Sequence, residues 1–393
     1  MQVVMIRYGE LFLKSEPVMR YYINILINNL KRALDSKDLT YKIEVFRGRI
    51  LIEGENQQEI AEAAGRIFGI VGVSVCTRTS NDLSEVETEA KKMAVKTVRP
   101  GMTFAVRVRR TGVLGFTSQE LAASIGSSIY DEVGGLTVDL KNPDYLINIE
   151  VREWGALIYD TAIDGAGGLP VGTQGRVLSL LSAGIDSPVA TWLMLRRGCP
   201  VTHLHLDGGR FMGPDTHDMV FRHHKTLSTW TPGTSLRMIV ADMEPFYREL
   251  TEIPRLKNRC IICKRFMLRT ATEIAKTERA LALVMGDNIG QVASQTLVNM
   301  GVIESVLPPG LPLIQPLITY EKQETVDIAR RIGTFVDSPG DLSCNAVPKH
   351  PDIAASLESI LKDEEKMDIE NLLAGVVDSA RLYIALNGEI REK

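Results

Sequence analysis

From residue 176 onward the chain alternates short apolar runs with helically spaced segments. The runs are RVLSLL, VTHLHL, LRMIVA, LALVMG and LIQPLI. Strands apolar on both faces do not suit a sheet with one wet side. They predict a parallel sheet covered by helices on both faces, an α/β fold. Ligands in such sheets sit outside the carboxyl ends of the strands, so functional residues are expected directly after these runs. GAGGLPVGTQG, residues 165–175, precedes the alternation. Its five glycines and one proline exclude a helix or strand interior and mark a domain boundary.

A chain of 393 residues has room for two or three domains. Residues 1–75 read as an α+β unit of ferredoxin-like order: a strand at VVMIRY, a helix over 17–34, a hairpin KIEVFRGRILIEG turning at Arg47-Gly48, and a helix over 57–68. Residues 76–166 form a second α+β unit, with a helix over 118–132 and a strand at YLINIEV. Residues 167–393 are then the parallel-sheet domain, ending in a helical tail.

The second unit holds a basic run. Between residues 91 and 110 lie Lys91, Lys92, Lys96, Arg99, Arg107, Arg109 and Arg110, with no acid among them. FAVRVRR alternates, so Phe104, Val106 and Val108 should face a core while Arg107 and Arg109 project from the other side. A solvated strand face is the plain alternative. In a chain of net charge −4, a basic stretch without an internal acid favours a local contact with a phosphate backbone.

Hydrophobic residues at 45% and charged residues at 24% are those of a globular protein. No apolar run approaches the ~20 residues of a bilayer helix. The opening MQVVMIRYGE has charges where a signal peptide keeps its apolar stretch. A cytoplasmic protein without membrane contact is expected. Five cysteines in this length do not make a disulfide framework. Cys76 and Cys199 sit among apolar neighbours and read as core residues.

Directly after the first buried strand comes Ser182-Ala183-Gly184-Ile185-Asp186-Ser187, opening a helix at Pro188. Small residues let backbone N–H groups approach a polyanion, and the helix N-terminus adds favourable partial charge. Ser182 and Ser187 add hydroxyl donors. A capped strand-to-helix turn is the structural alternative. There is no Gly-Lys-Ser/Thr, so the loop is not of the Walker type. It resembles the pyrophosphate-binding PP-loop, SGGxDS, of enzymes that adenylate a substrate.

Longer strings carry the resemblance further. MIRYGELFLKS, RIFGIVGVS, RRTGVLGFTSQE, GGLPVGTQGRVLSLLSAGIDSPVA, GDNIGQVASQTLVNM and PLITYEKQETVDIARRIGT resemble, in order, the tRNA 4-thiouridine synthetases, a sulfurtransferase family also tied to thiamine thiazole synthesis. The resemblance implies a ferredoxin-like domain and a THUMP domain that hold tRNA, with Lys91, Lys92, Lys96, Arg107, Arg109 and Arg110 as candidate contacts. It implies a PP-loop domain that uses ATP to adenylate O4 of uridine 8, after which sulfur displaces AMP. Leu180, Leu181, Ser182, Gly184, Ser187, His205, Leu206, Lys264, Gly286 and Gln295 would then bind ATP, and Asp186 would organise Mg²⁺ on the pyrophosphate. Where the family has glycine this chain has Ala183, whose methyl group would crowd the loop if that residue needs a positive φ. Taken singly, Gln295 would be a solvent-facing helix residue and His205 a satisfied core histidine.

Cys260 and Cys263 form a C-x-x-C at the start of a helical stretch, and Cys344 stands alone in SPGDLSCNAVP. No second C-x-x-C or close histidine pair completes a four-ligand zinc knuckle. By resemblance, Cys344 matches the family's persulfide-bearing cysteine. Only forty-nine residues follow Cys344, with no further cysteine, so no rhodanese-like domain is expected there. The set looks like the rhodanese-less, mainly archaeal form, in which three cysteines hold an iron–sulfur cluster with one iron free of protein ligands. A persulfide relay and structural zinc stand beside it. Implied partners are tRNA, a sulfur donor (sulfide or a persulfide carrier) and a second copy in a homodimer. Two other functions remain open: a tRNA-binding protein whose loop Ala183 has disabled, and a PP-loop enzyme acting on another base.

Overall fold

The computed structural model describes residues 1–9, 14–253 and 256–393. The middle of MIRYGELFLKS, residues 10–13, lies outside them. The N-terminal elements are β1 (Gln2–Tyr8), α1 (Glu16–Asp35), β2 (Tyr41–Phe46), β3 (Arg49–Gly54), α2 (Gln57–Gly65) and β4 (Ile70–Thr79). Next come α3 (Leu83–Thr97), β5 (Thr103–Thr111), α4 (Ser118–Val133), β6 (Thr137–Val138), β7 (Tyr145–Arg152), β8 (Gly155–Tyr159) and β9 (Ile163–Asp164). The remaining chain opens with β10 (Val177–Leu180), α5 (Asp186–Arg196), β11 (Val201–Asp207), α6 (Thr216–Ser228), β12 (Leu236–Asp242) and α7 (Glu244–Glu252). It continues through α8 (Arg259–Glu278), β13 (Leu283–Val284), α9 (Leu297–Glu304), β14 (Leu313–Ile314) and α10 (Lys322–Ile332). It closes with α11 (Leu357–Glu364), α12 (Ile369–Asp378), β15 (Arg381–Leu386) and β16 (Glu389–Glu392).

The chain forms two compact units. The first holds residues 1–9, 34–65 and 70–167; the second holds most of α1, residues 66–69 and 168–393. In the first unit the strands join in one sheet, β2-β3-β1-β4-β8-β7-β5-β6, with β9 beside β4. The segment β4-β1-β3-β2 has the ferredoxin-like strand order. β4 continues past residue 75 to pair with β8, so no break in the sheet separates the two N-terminal segments.

One face of this sheet carries α3 and α4. Val86, Ala90 and Ala94 of α3 and Leu121, Ile125 and Ile129 of α4 pack on Phe104, Ile147, Ile149 and Ile158. α4 begins where its sequence says it should, because Thr117 and Glu120 form a reciprocal capping box. The other face buries Val3, Met5, Leu51, Cys76, Leu157 and Tyr159. Three strands separate β3 from β7, about 19 Å in a flat sheet, yet Arg49 meets Glu150 at 2.8 Å and Phe46 stacks on Trp154 at 4.2 Å. The sheet is therefore rolled, and these side chains close its concave face.

In the second unit the order is β14-β13-β10-β11-β12-β15-β16. The first five strands are parallel, as the buried apolar runs predict. The helical tail expected after Cys344 needs correction. α11 and α12 do form, but the chain then returns as a hairpin, with β15 antiparallel to β12. Asn387 and Gly388 at its tip both have positive φ, 50° and 88°, as a type I′ turn requires. No described helix is long and apolar enough to cross a membrane.

Candidate nucleotide and sulfur site

At the carboxyl ends of β10, β11 and β13 the second unit has a cavity of about 340 Å³. Leu180, Leu181, Ser182, Gly184, Asp186, Ser187, His205, Leu206, Lys264, Gly286 and Gln295 all line it. Residues up to 115 positions apart are thus gathered in one place (295 − 180). A larger cavity of about 700 Å³ lies in the first unit between β5 and α4, but its walls are mostly apolar and lack convergent catalytic groups.

The loop after β10 is laced by its own serines. The Ser182 amide donates to Ser187 Oγ at 2.9 Å, the two hydroxyls are 3.0 Å apart, and the Gly184 amide points to Ser182 Oγ at 3.3 Å. Ala183 does not belong to the residues with positive φ, so its methyl group strains no backbone. Its carbonyl instead accepts a hydrogen bond from buried His223 Nε2 at 3.3 Å. Gly286 is needed for closeness. A Cβ there would lie 2.8 Å from both the Asp186 carbonyl carbon and the Ser187 nitrogen.

Charges meet across the cavity. Lys264 Nζ lies 2.8 Å from Asp287 Oδ1, and Gln295 Nε2 donates to the same oxygen at 2.9 Å. Gln295 is thereby buried and not the solvent-facing residue its isolated position suggests. Asp186 is gripped through both carboxylate oxygens by Lys322 Nζ, at 2.8 and 2.9 Å. His205 Nδ1 donates to the Leu181 carbonyl at 3.1 Å, leaving Nε2 buried without a protein partner. Burial lowers the His205 pKa, with Asp207 only partly opposing it. The ring is therefore neutral, with its lone pair on Nε2. Sequence reasoning missed Asp287 and Lys322. Asp287 could have been suspected from its place right after β13; the pairing of Lys322 with a residue 136 positions away has no local signal.

The cysteines adjoin this cavity. Cys260 and Cys263 lie in the first turns of α8, and Cys263 Sγ is 3.3 Å from the hydroxyl of Tyr247, which lines the cavity. Cys344 forms an isolated bridge with Met212, another lining residue. Burial pushes the Cys263 thiol up to about 12, and burial followed by the charge of Cys344 raises Cys260. That Cys344 is felt by both marks the three as electrostatic neighbours. Among the described residues, no three Cys, His, Asp or Glu side chains gather round a single metal ion.

The basic strand behaves differently. Arg107 and Arg109 project into solvent from β5 while Phe104 is buried. Arg110 bonds to the Val113 carbonyl at 2.6 Å and lies over Phe116. The absence of compensating acids holds along residues 91–110 but not in space. Glu132 of α4 comes within 3.3 Å of Lys91, and Glu89, one turn earlier, within 3.4 Å of Lys92.

Family models match along the chain in the same order. They describe a ThiI ferredoxin-like domain over residues 3–74, a THUMP domain over 80–160 and a thiamine biosynthesis protein (ThiI) over 172–369. A probable tRNA sulfurtransferase of Methanosarcina mazei is 35% identical, covering 97% of this chain and 95% of its own. The chain belongs to the tRNA sulfurtransferase family. A second member, from Methanothermobacter thermautotrophicus, is 36% identical over 95% of this chain and 96% of its own. A crystal structure of a 4-thiouridine synthetase–RNA complex with bound ATP superposes with a TM-score of 0.84 at 30% identity, covering 98% of this chain and 99% of that one.

Proposed function

We propose that this chain is an ATP-dependent tRNA sulfurtransferase that adenylates uridine 8 and replaces its O4 with sulfur, giving 4-thiouridine. The observation that carries the proposal is the convergence of the Ser182–Ser187 loop, Lys264 and Lys322-paired Asp186 on one cavity, with Cys263 and Cys344 against its lining residues Tyr247 and Met212. We assign residues 1–75 to a ferredoxin-like domain and 76–166 to a THUMP domain, which hold tRNA. Residues 167–393 form the catalytic domain of an enzyme that works in the cytoplasm, as a homodimer.

In this reading adenosine lies over Leu180–Leu181 and His205–Leu206. The phosphates lie over the loop, where amides and hydroxyls replace water at no reorganisation cost. Lys264 and Lys322 neutralise charge on the leaving pyrophosphate. Asp186 has the oxygen donor a hard cation prefers, so it is the residue that would hold Mg²⁺, which would supply positive charge to the leaving pyrophosphate. O4 of the uridine attacks the α-phosphorus, pyrophosphate leaves and the N3 proton is lost to solvent. A carbonyl oxygen leaves poorly until it is esterified, and covalent activation divides one hard substitution into two easier ones. Hydrosulfide then adds at C4, and AMP departs with the C4–O4 bond, leaving 4-thiouridine. With a Cys344 persulfide as donor the adduct would be joined through S–S, a second cysteine thiol would cleave it to free the thiouridine, and an external dithiol would reduce the cysteine disulfide so formed.

By donor chemistry, Cys260, Cys263 and Cys344 are the thiols that would hold an iron–sulfur cluster. Such a group would supply an iron able to bind sulfide from the donor. A relay through a Cys344 persulfide is the competing use of the same residues. We expect purified protein with ATP and unmodified tRNA to release AMP and pyrophosphate and to form 4-thiouridine, and tRNA with cytidine at position 8 to give no product. Absence of tRNA-dependent AMP release would overturn the proposal. Iron-free, fully active, anaerobically prepared enzyme would replace the cluster by the relay. So would an active Cys260→Ala variant.

A further inference from the structure

We propose that Asn288 is a positioning residue for the phosphate end of the nucleotide site, acting through Lys322. Asn288 is buried and does not line the cavity. Its amide nitrogen donates one N–H to the Leu317 carbonyl at 2.9 Å and the other to the Tyr320 carbonyl. Both acceptors belong to the turn that leads into α10. Two backbone bonds hold the same stretch, from Met285 to Ile314 and from Ile289 to Ile318. They stop short of Tyr320, whose own amide closes the turn onto the Leu317 carbonyl at 3.0 Å, and Asn288 ties the carbonyls at both ends of that turn to the β13 side. The next residue, Glu321, is the N-cap of α10, and Glu324 completes a capping box with it. The residue after that is Lys322, whose ammonium spans both oxygens of Asp186.

The consequence is mechanical. A lysine ammonium is a point charge on a flexible stem, so where it acts is set by where its backbone is anchored. Gly286, Asp287 and Asn288 then have three separate duties in consecutive positions. Gly286 admits the loop, Asp287 holds Lys264 and Gln295, and Asn288 fixes the base of the second lysine. Asparagine suits the last duty because it presents two donors from one planar group. An aspartate there would present no donor and would face two carbonyl oxygens with a charge.

The inference rests on the nucleotide reading above and is tested by binding, apart from thiolation. ATP and AMP affinities are measured by calorimetry on the full chain and on Asn288→Leu, Lys322→Ala and the double variant. Asn288→Leu should weaken ATP about tenfold, the size of one or two net hydrogen bonds, and leave AMP within about twofold. In the Lys322→Ala background the same change should cost ATP less than about twofold, because residues acting as one unit are not additive. An equal loss for AMP, or the full tenfold loss without Lys322, would make Asn288 a general structural residue and overturn the inference. Should Asn288→Leu not fold, Asn288→Ser takes its place in the same cycle. Failure of the thiolation proposal would show separately, as no tRNA-dependent AMP release from the unmodified protein.

Discussion

The two units differ in where their charges are placed. In the first, charges are either spent internally or left in solvent. Glu150 is held by Arg49 and Arg152; burial alone would raise its pKa, but the hydrogen bonds from these arginines outweigh that and lower it. Arg107 and Arg109 reach outward into solvent. The second unit has such an internal cluster too, Glu364 between Arg265 and Arg269, but it also sets ion pairs on residues that line its open cavity. Lys322 meets Asp186 and Lys264 meets Asp287. A surface made of neighbouring strand residues should respond to mutation by degrees. A cavity assembled from distant segments should fail at single points, because each segment holds the position of another.

The largest effect that could break this contrast is in the loop. Asp186→Ala should lower thiolation by about 10²–10³ and leave tRNA affinity nearly unchanged; near-normal turnover would remove Asp186 from the machinery. Gly286→Ala comes next. Its Cβ would press on backbone and not on a flexible side chain, so the loop must move. A shift of about 1 Å can cost about 10² in kcat/KM for ATP, and an unaffected value would show that the close approach is dispensable.

Acid should separate the units. All six histidines lie in the second one, between His203 and His350. Burial lowers His223 to about 4 and His224 to about 3 from an ordinary 6.5. The unfolded chain therefore takes up these protons first as pH falls. Stability of the second unit is full above 6.5 and is lost between 6.5 and about 3, by up to about 1.4 kcal/mol per pH unit for each histidine. The first unit, whose Glu150 has a lowered pKa, should resist until below 4.5, the ordinary glutamate value. Denaturant midpoints followed by unit-specific proteolysis across pH 7 to 3 would show the order, and simultaneous loss would contradict it.

The smallest effect belongs to the strand. Replacing Arg107, Arg109 and Arg110 with alanine should reduce the log–log salt slope of tRNA binding by roughly 0.7–0.9 for each lost phosphate contact. Turnover at saturating tRNA should hold. An unchanged slope would return β5 to the role of a solvated face. Lys91 and Lys92, already paired with acids, should contribute less than the arginines.

Much of this organisation was legible along the chain. Buried apolar runs foretold the parallel strands, the small-residue loop lay at a strand end, and the alternation of FAVRVRR put Arg107 and Arg109 outside. The C-terminal hairpin has a sequence signal too, an Asn-Gly between alternating residues, which outweighs the helical spacing that precedes it. The acids beside Lys91 and Lys92 have none, because Glu132 comes from another helix.

Local periodicity, turn chemistry and capping are properties of neighbours, and the sequence by itself determined them: which segments become strands, where α4 and α10 begin, where the loop lies. Only the tertiary structure decided that Lys322 grips Asp186, that Asp287 joins Lys264 to Gln295, that Cys263 and Cys344 meet the cavity-lining Tyr247 and Met212, and that Arg49 and Glu150 close a rolled sheet. Each of these joins residues on different elements, and their distance depends on sheet order, twist and packing summed over the whole unit. No window of sequence contains that sum.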